Sequence, residues 1–234
     1  MHRAHNKFKD IYKLRKKCFT LLMTGVIVPL SVLTGGCGRG STEGEDEKFE
    51  NFTNALFCRE TASNTISLHY SLKDPEAYGI EEQPVTFGIF DTDSARTEAA
   101  LENTQKALEQ FEQRDLNVQN QVTYDVLEYY LKEAEKSADY ILYEEPLALV
   151  SGVQTQLPVV LSEYQFYDRD DVDTYLALLE TTGEYFDSLI TFERAKSQAG
   201  LFMADYTAET VIEQCRAFLD MGDGNYLYST FADR

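Results

Sequence analysis

The stretch 168–200, "DRDDVDTYLALLETTGEYFDSLITFERAKSQAG", carries the strongest secondary-structure signal in the chain. Acidic residues fill its first turn, where they cap a helix and interact favourably with the helix dipole. Apolar residues then recur at helical spacing, and Gly200 is typical of a helix end. The stretch therefore predicts one long amphipathic helix, with an apolar stripe of Tyr175, Leu178, Leu179, Phe186, Leu189 and Ile190.

The same helical period runs through most of the remaining chain. It predicts helices over 45–62, 91–115, 120–140 and 207–220, with Asp91 or Asp93 capping the second of them. The apolar positions that carry this period are Phe49, Phe52, Leu56 and Phe57; Ala99, Leu101, Leu108 and Phe111; Val122, Val126 or Leu127, Tyr130 and Ala134; and Val211, Ile212, Cys215 and Leu219.

Two stretches rich in proline and glycine interrupt the helical pattern. Residues 67–91 read as a helix end and an extended connection, and residues 143–171 read as a loop that enters a short helix at Pro158. The sequence shows no internal repeat and no second domain. The predicted fold class is all-α, with many helices and at most a little strand.

The N-terminus has the composition of a lipoprotein signal. Residues 1–17 carry seven Lys/Arg, residues 18–33 carry no charge, and two glycines precede Cys37. A basic region, a short apolar run and small residues before a cleavage point are typical of a secretory signal. A cysteine at the cleavage edge supplies the thiol for a diacylglyceryl group, although Thr34 stands where such signals usually have an aliphatic residue.

From this pattern we expect a signal peptide over 1–36, lipid on Cys37, a flexible tether over 37–48 and a helical region over 49–234. Two acyl chains make a stable anchor. The protein is then exported and held at the extracytoplasmic face of the bacterial cell membrane. The alternatives are an uncleaved signal-anchor helix and a secreted protein with an unmodified Cys37.

The charge of the chain argues against two kinds of partner, nucleic acid and anionic lipid. Residues 1–36 hold seven of the 21 Lys/Arg and one of the 40 Asp/Glu, so without them the formal charge falls from −19 to −25. Binding to nucleic acid needs a basic surface, and so does electrostatic docking on anionic lipid. The excess of acid favours solubility, or else attraction of cationic peptides or metal ions.

The sequence contains no recognisable catalytic motif. His69 is the only histidine after residue 5, and a packing role suits a lone histidine better than a zinc ligand or a base. The acids at 168–173 lack the glycine and the distal glutamate of a calcium loop, so a helix cap is the simpler interpretation. We therefore predict no catalytic residue and no metal ligand in this chain.

Two cysteines, Cys58 and Cys215, remain in the region beyond Cys37. They either pair, because an exported protein meets oxidising surroundings, or serve as small buried residues within helices. The sequence has no Cys-x-x-Cys motif, which argues against a structural zinc site.

Four segments resemble the N-terminal half of a bacterial family called domain of unknown function 885, and lipoprotein members of the clostridial type resemble them most. The segments are "TISLHYSLKDPEAYGI", "GVQTQLPVVLSEYQFYDRDDVDTYLALL", "YFDSLITFERAKSQAGLFMAD" and "VIEQCRAFL", and the similarity spans roughly residues 45–234 in the same order. The resemblance implies the helical architecture of a thermolysin-like gluzincin metallopeptidase. In such proteins the zinc ligands, a His-Glu-x-x-His helix and a further acid, lie in the C-terminal half.

The resemblance carries no catalytic residue over to this chain, because no position here matches the zinc motif. We expect zinc only in a longer form, with the missing C-terminal half as a partner of these helices. His69, Tyr70, Gln154 and Gln156 lie in the segments that carry the resemblance. We therefore predict that they contribute to one wall of a cleft for a peptide substrate. The alternative is a stand-alone lipoprotein that binds a peptide or another surface protein in a helical groove.

Overall fold

The computed structural model describes residues 42–234. The predicted signal peptide over 1–36, Cys37 and the first part of the predicted tether lie outside these residues. The chain divides into two compact units, one ending at Asp139 and the other comprising Tyr140–Arg234. Across residues 42–234 the structure contains nine α-helices and no strand, which confirms the all-α prediction.

Four helices lie in the first unit and five in the second. Within the described range, none of them is both long enough and apolar enough to cross a membrane. The helices of the first unit are α1 (Thr42–Thr61), α2 (Thr65–Ser71), α3 (Ser94–Leu108) and α4 (Val118–Ala138); those of the second are α5 (Val153–Ser162), α6 (Arg169–Glu180), α7 (Thr182–Gln198), α8 (Asp205–Asp220) and α9 (Tyr226–Ala232).

The core of the first unit forms where α1 meets α3 and α4. Phe49 is fully buried there and contacts the ring of Phe111 edge to face, with 5.3 Å between ring centroids. Such contacts stabilise aromatic pairs beyond the area that they bury. The other fully or nearly fully buried members of this cluster are Leu108, Leu116 and Leu131.

Residues 42–48 differ from the prediction, because they form the first turns of α1 instead of a flexible tether. The carboxylate of Asp46 accepts hydrogen bonds from the backbone N–H of Asn117 (2.9 Å) and from the side-chain amide of Asn120 (2.8 Å). These bonds hold the pKa of Asp46 below its ordinary value. Asp46, one of the acids that the composition assigns to a tether, thus makes a long-range contact that fixes the start of α1 against α4.

The inward face of α4 also differs in part from the predicted one. Of the two positions left open, Leu127 packs on the core and Val126 is exposed, and Val122 is exposed as well. Leu127 and Tyr130 confirm the predicted face, whereas Val122 lies outside it, because valines and tyrosines occur on both sides of this helix.

The second unit is built around aromatic side chains. Tyr164 and Tyr175 are buried with ring centroids 5.2 Å apart, and the ring of Phe231 from α9 stacks on Tyr175 at 5.7 Å. The guanidinium of Arg234 donates hydrogen bonds to the carbonyl oxygens of Ser162 and Tyr164. Burial raises the pKa of the Tyr164 phenol, and it raises that of Tyr185 to about 12.

The stretch 168–200 forms two helices instead of one, with a break at Thr181. The predicted acidic cap is confirmed, because Asp168 and Asp171 form a reciprocal capping box at the start of α6. At the break, the hydroxyl of Thr181 donates a hydrogen bond to the carbonyl of Leu178 (2.8 Å). Gly200 follows α7 with a φ of +74°, a conformation that glycine adopts without strain.

Three other details correct the sequence-based prediction. The short helix α5 begins at Val153 and contains Pro158, which was predicted to be its entry. On α8 only Val211 is buried, whereas Ile212, Cys215 and Leu219 are exposed. The two cysteines are not both buried packing residues, since Cys58 is half-buried and Cys215 exposed, and both thiols are free.

Candidate functional site

The first pair of predicted site residues lies on α2. The side chain of Asn64 caps this helix by accepting a hydrogen bond from the backbone N–H of Ser67 (2.8 Å). His69 and Tyr70 follow, both half-buried, with their rings edge to face at 5.4 Å. The structure therefore places the only histidine of the described region in an aromatic contact with its neighbour.

The second pair lies at the start of α5, in the other unit. The side-chain amide of Gln154 donates to the carbonyl of Ala148 (2.7 Å) and to the side-chain oxygen of Gln214 on α8 (2.9 Å). The amide of Gln156 donates to the carbonyl of Val150 (3.0 Å). Both predicted residues thus bind the backbone of the preceding loop or a neighbouring helix.

The loop that these amides hold, residues 146–152, is fixed from several sides. Gln214 donates its own amide to the carbonyl of Leu149 (2.9 Å), and the backbone N–H of Val153 donates to the carbonyl of Pro146 (2.9 Å). At its end, Gly152 is buried and packs directly on Ala148. The result is a closed loop whose backbone carbonyls are bound inward.

The outer side of this loop is apolar. Leu149 and Val150 are exposed, and Val150 retains 82% of its accessible surface. Since the backbone behind them is tied by amides, these two side chains have a fixed base from which to contact another molecule. We call residues 146–152 the amide-tied loop.

Sequence reasoning missed a buried ionic cluster in the same unit. Lys196 on α7 is completely buried, and its ammonium group donates to the carbonyl of Glu144 and to the carboxylate of Glu145 (3.0 Å). A buried charge needs such partners, because its transfer out of water is costly. The cluster joins α7 to the segment that leads into the amide-tied loop.

Glu193 lies one turn before Lys196 and is also buried. Within residues 42–234, neither of its carboxylate oxygens has a hydrogen-bond partner. Burial raises the pKa of Glu193; the charge of Lys196 opposes that rise and the charge of Glu145 adds to it. Burial likewise raises the pKa of Glu144.

The sequence did contain a signal for this cluster. The buried stripe of α7 consists of Tyr185, Leu189, Phe192 and Lys196. These residues are spaced three or four apart, so the charged Lys196 continues the helical period of the apolar ones. The predicted stripe included Ile190, which is exposed. A stripe followed strictly by its period would have put Lys196 inside.

The side chains of residues 42–234 do not offer the ligand set of a zinc ion. In the part of the chain that the structure describes, no group of three or more His, Cys, Asp or Glu side chains is placed to hold a metal. A hollow of about 150 Å³ between α3 and α4, which includes Glu102 and Glu135 in its lining, is smaller than the roughly 300–1,000 Å³ of ordinary ligand pockets.

Comparison with known proteins gives one match, to a family of bacterial proteins. The sequence profile described as "Bacterial protein of unknown function (DUF885)" matches residues 89–234. Since the match covers more than half of the chain, the protein belongs to this family. Searches of curated proteins and of solved structures returned no match.

We expect Gly152→Ala to destabilise the second unit by about 1–3 kcal/mol, the usual cost of overpacking. A Cβ at this position would lie closer than 3.0 Å to the backbone of Ala148 and to the side-chain oxygen of Gln154. Urea unfolding of the two proteins measures the loss. Gly183→Ala is the matched control, because a Cβ there meets nothing within 4 Å and an exposed helical glycine gains about 0.5–1 kcal/mol. An equal effect of the two substitutions would contradict the close packing at Gly152.

We expect Glu193→Gln to stabilise the protein at neutral pH and to change stability little at acidic pH. A raised pKa in the folded state means that folding favours the protonated carboxyl. This contribution to stability is fully present below the pKa of Glu193 in the unfolded state. It is lost as the pH rises through the higher pKa of Glu193 in the folded state.

Thermal unfolding of wild type and variant at pH 4.5 and pH 7.5 tests this dependence. At the higher pH the Tm of the variant should exceed that of wild type by about 2–4 °C, the shift per kcal/mol for a chain of this size. Asp187→Asn, at an exposed position beyond the first turn of the same helix, is the matched control and should not produce this stabilisation. A variant that is less stable than wild type at both pH values would show that the carboxylate itself is needed.

Proposed function

We propose that the chain is an exported lipoprotein with a diacylglyceryl group on Cys37. The support is the order of a basic region, an uncharged apolar run and two glycines directly before that cysteine. The strong negative charge of the remaining chain adds to this, because such a surface does not dock on anionic lipid by itself. The lipid would then provide the attachment to the membrane.

We propose further that these helices form a non-catalytic part of a zinc-dependent peptidase and contribute one wall of its substrate cleft. Membership of the family and the resemblance to gluzincins support this role. The amide-tied loop is the observation that carries it, since it presents exposed Leu149 and Val150 on a backbone that Gln154 and Gln156 hold in place. A fixed apolar edge suits contact with the side chains of a peptide.

A stand-alone peptide-binding lipoprotein is the second candidate. The excess of acidic residues favours it, because a negative surface attracts peptides that carry lysine or arginine. In both candidate functions the amide-tied loop supplies the apolar contact with the peptide. The first candidate also requires a further segment that binds zinc and hydrolyses the peptide, and the second does not.

Mass spectrometry of the chain expressed in a bacterium tests the lipid. We expect the peptide that begins at Cys37 to carry the mass of a diacylglyceryl group, and Cys37→Ser to release the protein from the membrane fraction. Cys58→Ser should leave it there, because Cys58 lies within α1. An unmodified Cys37 in a membrane-bound protein would point to the signal-anchor alternative, and one in a released protein to the secreted alternative.

Fluorescence anisotropy with a labelled peptide of eight alternating lysines and leucines tests the loop. With the whole chain carrying Cys37→Ser, we expect saturable binding that Val150→Ser weakens at least about threefold, since burial of a valine side chain contributes roughly 1.5 kcal/mol or more. Leu219→Ser removes a similarly exposed side chain from α8 and should leave binding unchanged. Absence of saturable binding, or equal loss in both variants, would contradict the loop as the peptide contact.

A further inference from the structure

The buried ammonium group of Lys196 connects two parts of the second unit. It lies on α7 and donates to the carbonyl of Glu144 and to the carboxylate of Glu145 (3.0 Å), the two residues directly before the amide-tied loop. At the far end of the loop, the backbone N–H of Val153 donates to the carbonyl of Pro146 (2.9 Å). Lys196 therefore holds the segment from which the loop starts.

Glu193 is a second possible partner for this ammonium group. It lies three residues before Lys196 on α7, so the two side chains are neighbours on one face of the helix. Glu193 is buried, and within residues 42–234 neither of its carboxylate oxygens has a hydrogen-bond partner. A buried carboxyl without a donor or a cation is least costly when it is protonated. The contacts that Lys196 makes thus suit a neutral Glu193.

We propose that Glu193 controls, through its protonation, how firmly the amide-tied loop is held. While Glu193 keeps its proton, Lys196 binds the segment before the loop. Leu149 and Val150 then keep one position. When Glu193 gives its proton to water at higher pH, the ammonium group of Lys196 pairs with the new carboxylate and leaves the carbonyl of Glu144. The loop then becomes mobile, and its apolar side chains no longer form a fixed edge.

The difference in burial between two acids decides which of them the ammonium group prefers. The side chain of Glu145 is exposed, so water solvates its carboxylate, and an ion pair with such a group contributes little. The carboxylate of Glu193 lies out of water and depends on a cation for its stability. An ionised Glu193 therefore attracts Lys196 more strongly than Glu145 does.

The charges around Glu193 agree with a release at higher pH. Burial raises the pKa of Glu193, the charge of Lys196 lowers it, and the charge of Glu145 raises it further. The 3-10 turn Ile141–Tyr143 also packs on α7 and contains no charged residue. α6 packs on α7 as well, and among the described residues none of its charges acts on Glu193. The held loop thus persists at low pH and is lost as the pH rises through the raised pKa of Glu193.

The carboxyl of Glu144 acts in the opposite sense. Glu144 is half-buried; burial raises its pKa, and the charge of Lys196 opposes that rise. When Glu144 ionises, it attracts the ammonium group towards the segment before the loop. Because Glu193 is more completely buried than Glu144, its carboxylate has less water and gains more from the ammonium group. Without an acid at position 193, the tie should therefore stay closed at both low and neutral pH.

NMR relaxation of the backbone nitrogens, measured on the whole chain carrying Cys37→Ser, tests the proposal. For Leu149 and Val150 we expect order parameters near about 0.85 at pH 5 and below about 0.6 at pH 7.5, the values of rigid and of flexible backbone. The order parameter of Tyr185, which lies within α7 and donates its N–H to the carbonyl of Thr181 (3.1 Å), should stay near about 0.85 at both pH values.

Two variants separate Glu193 from other acids. Glu193→Gln should keep the loop rigid at both pH values. Asp187→Asn removes an exposed acid from the same helix and should behave as wild type. The carbonyl-carbon shift of Glu144 provides a second readout, because this carbonyl loses its hydrogen bond with Lys196. In wild type it should titrate with the same midpoint as the carboxyl carbon of Glu193.

Equal order parameters of the loop at pH 5 and pH 7.5 in wild type would overturn the proposal, as would a loss of order that persists in Glu193→Gln. A loss that Tyr185 shares would show that the whole unit loosens, and it would overturn the proposal as well. The role of this tie in binding rests on the peptide contact proposed above. The relaxation measurement uses neither peptide nor lipid, so a failure of the tie and a failure of that contact are distinguishable.

Discussion

The hydrogen bonds of Gln154 and Gln214 are the constraint on which the candidate site depends. Each amide satisfies a backbone carbonyl of a loop that would otherwise lie open to solvent, and the two side chains also bind each other. The loop can fit beneath them only because Gly152 has no side chain to meet Ala148. The exposed valine and leucine at its tip therefore keep one position, which a free loop of the same length would not.

The helices were the easiest part of this structure to predict from sequence. A period of 3.6 residues identifies a helix even when its first and last residues are assigned wrongly. The capping box of Asp168 and Asp171 is local chemistry, and the sequence identified the helix cap correctly. The break at Thr181 was missed although Gly183 follows it closely, because the apolar pattern continues through both residues. On α4 the prediction was right for Leu127 and Tyr130 but wrong for Val122, because apolar residues occur on both sides of this helix.

Long-range contacts lay beyond sequence reasoning for a different reason. Gln154 and Gln214 are separated by 60 positions, and Asp46 and Asn117 by 71, so no window of sequence contains both partners. The sequence singled out the polar segment "GVQTQLP" for a substrate cleft, and the contacts of its two glutamines with the preceding loop and with Gln214 could not be predicted from it. Burial of Lys196 was not predicted because lysine is usually exposed, although its position continues the buried stripe of α7.

Both units expose apolar side chains, such as Val126 in the first and Val150 in the second. They differ in that the second also encloses charge, with Lys196 and Glu193 inside it. Buried charge stabilises less than an apolar core does, but it favours one packing when every partner is in place. Exposed valines lower solubility unless another surface covers them.

The buried phenols of the second unit have an optical consequence. The chain contains 15 tyrosines and no tryptophan, so its near-ultraviolet absorbance and its intrinsic fluorescence come chiefly from tyrosine. Because burial raises the pKa of Tyr164 and Tyr185, these rings remain protonated at alkaline pH values where exposed phenols ionise. Spectrophotometric titration of tyrosinate would therefore separate the interior of this unit from its surface without any label.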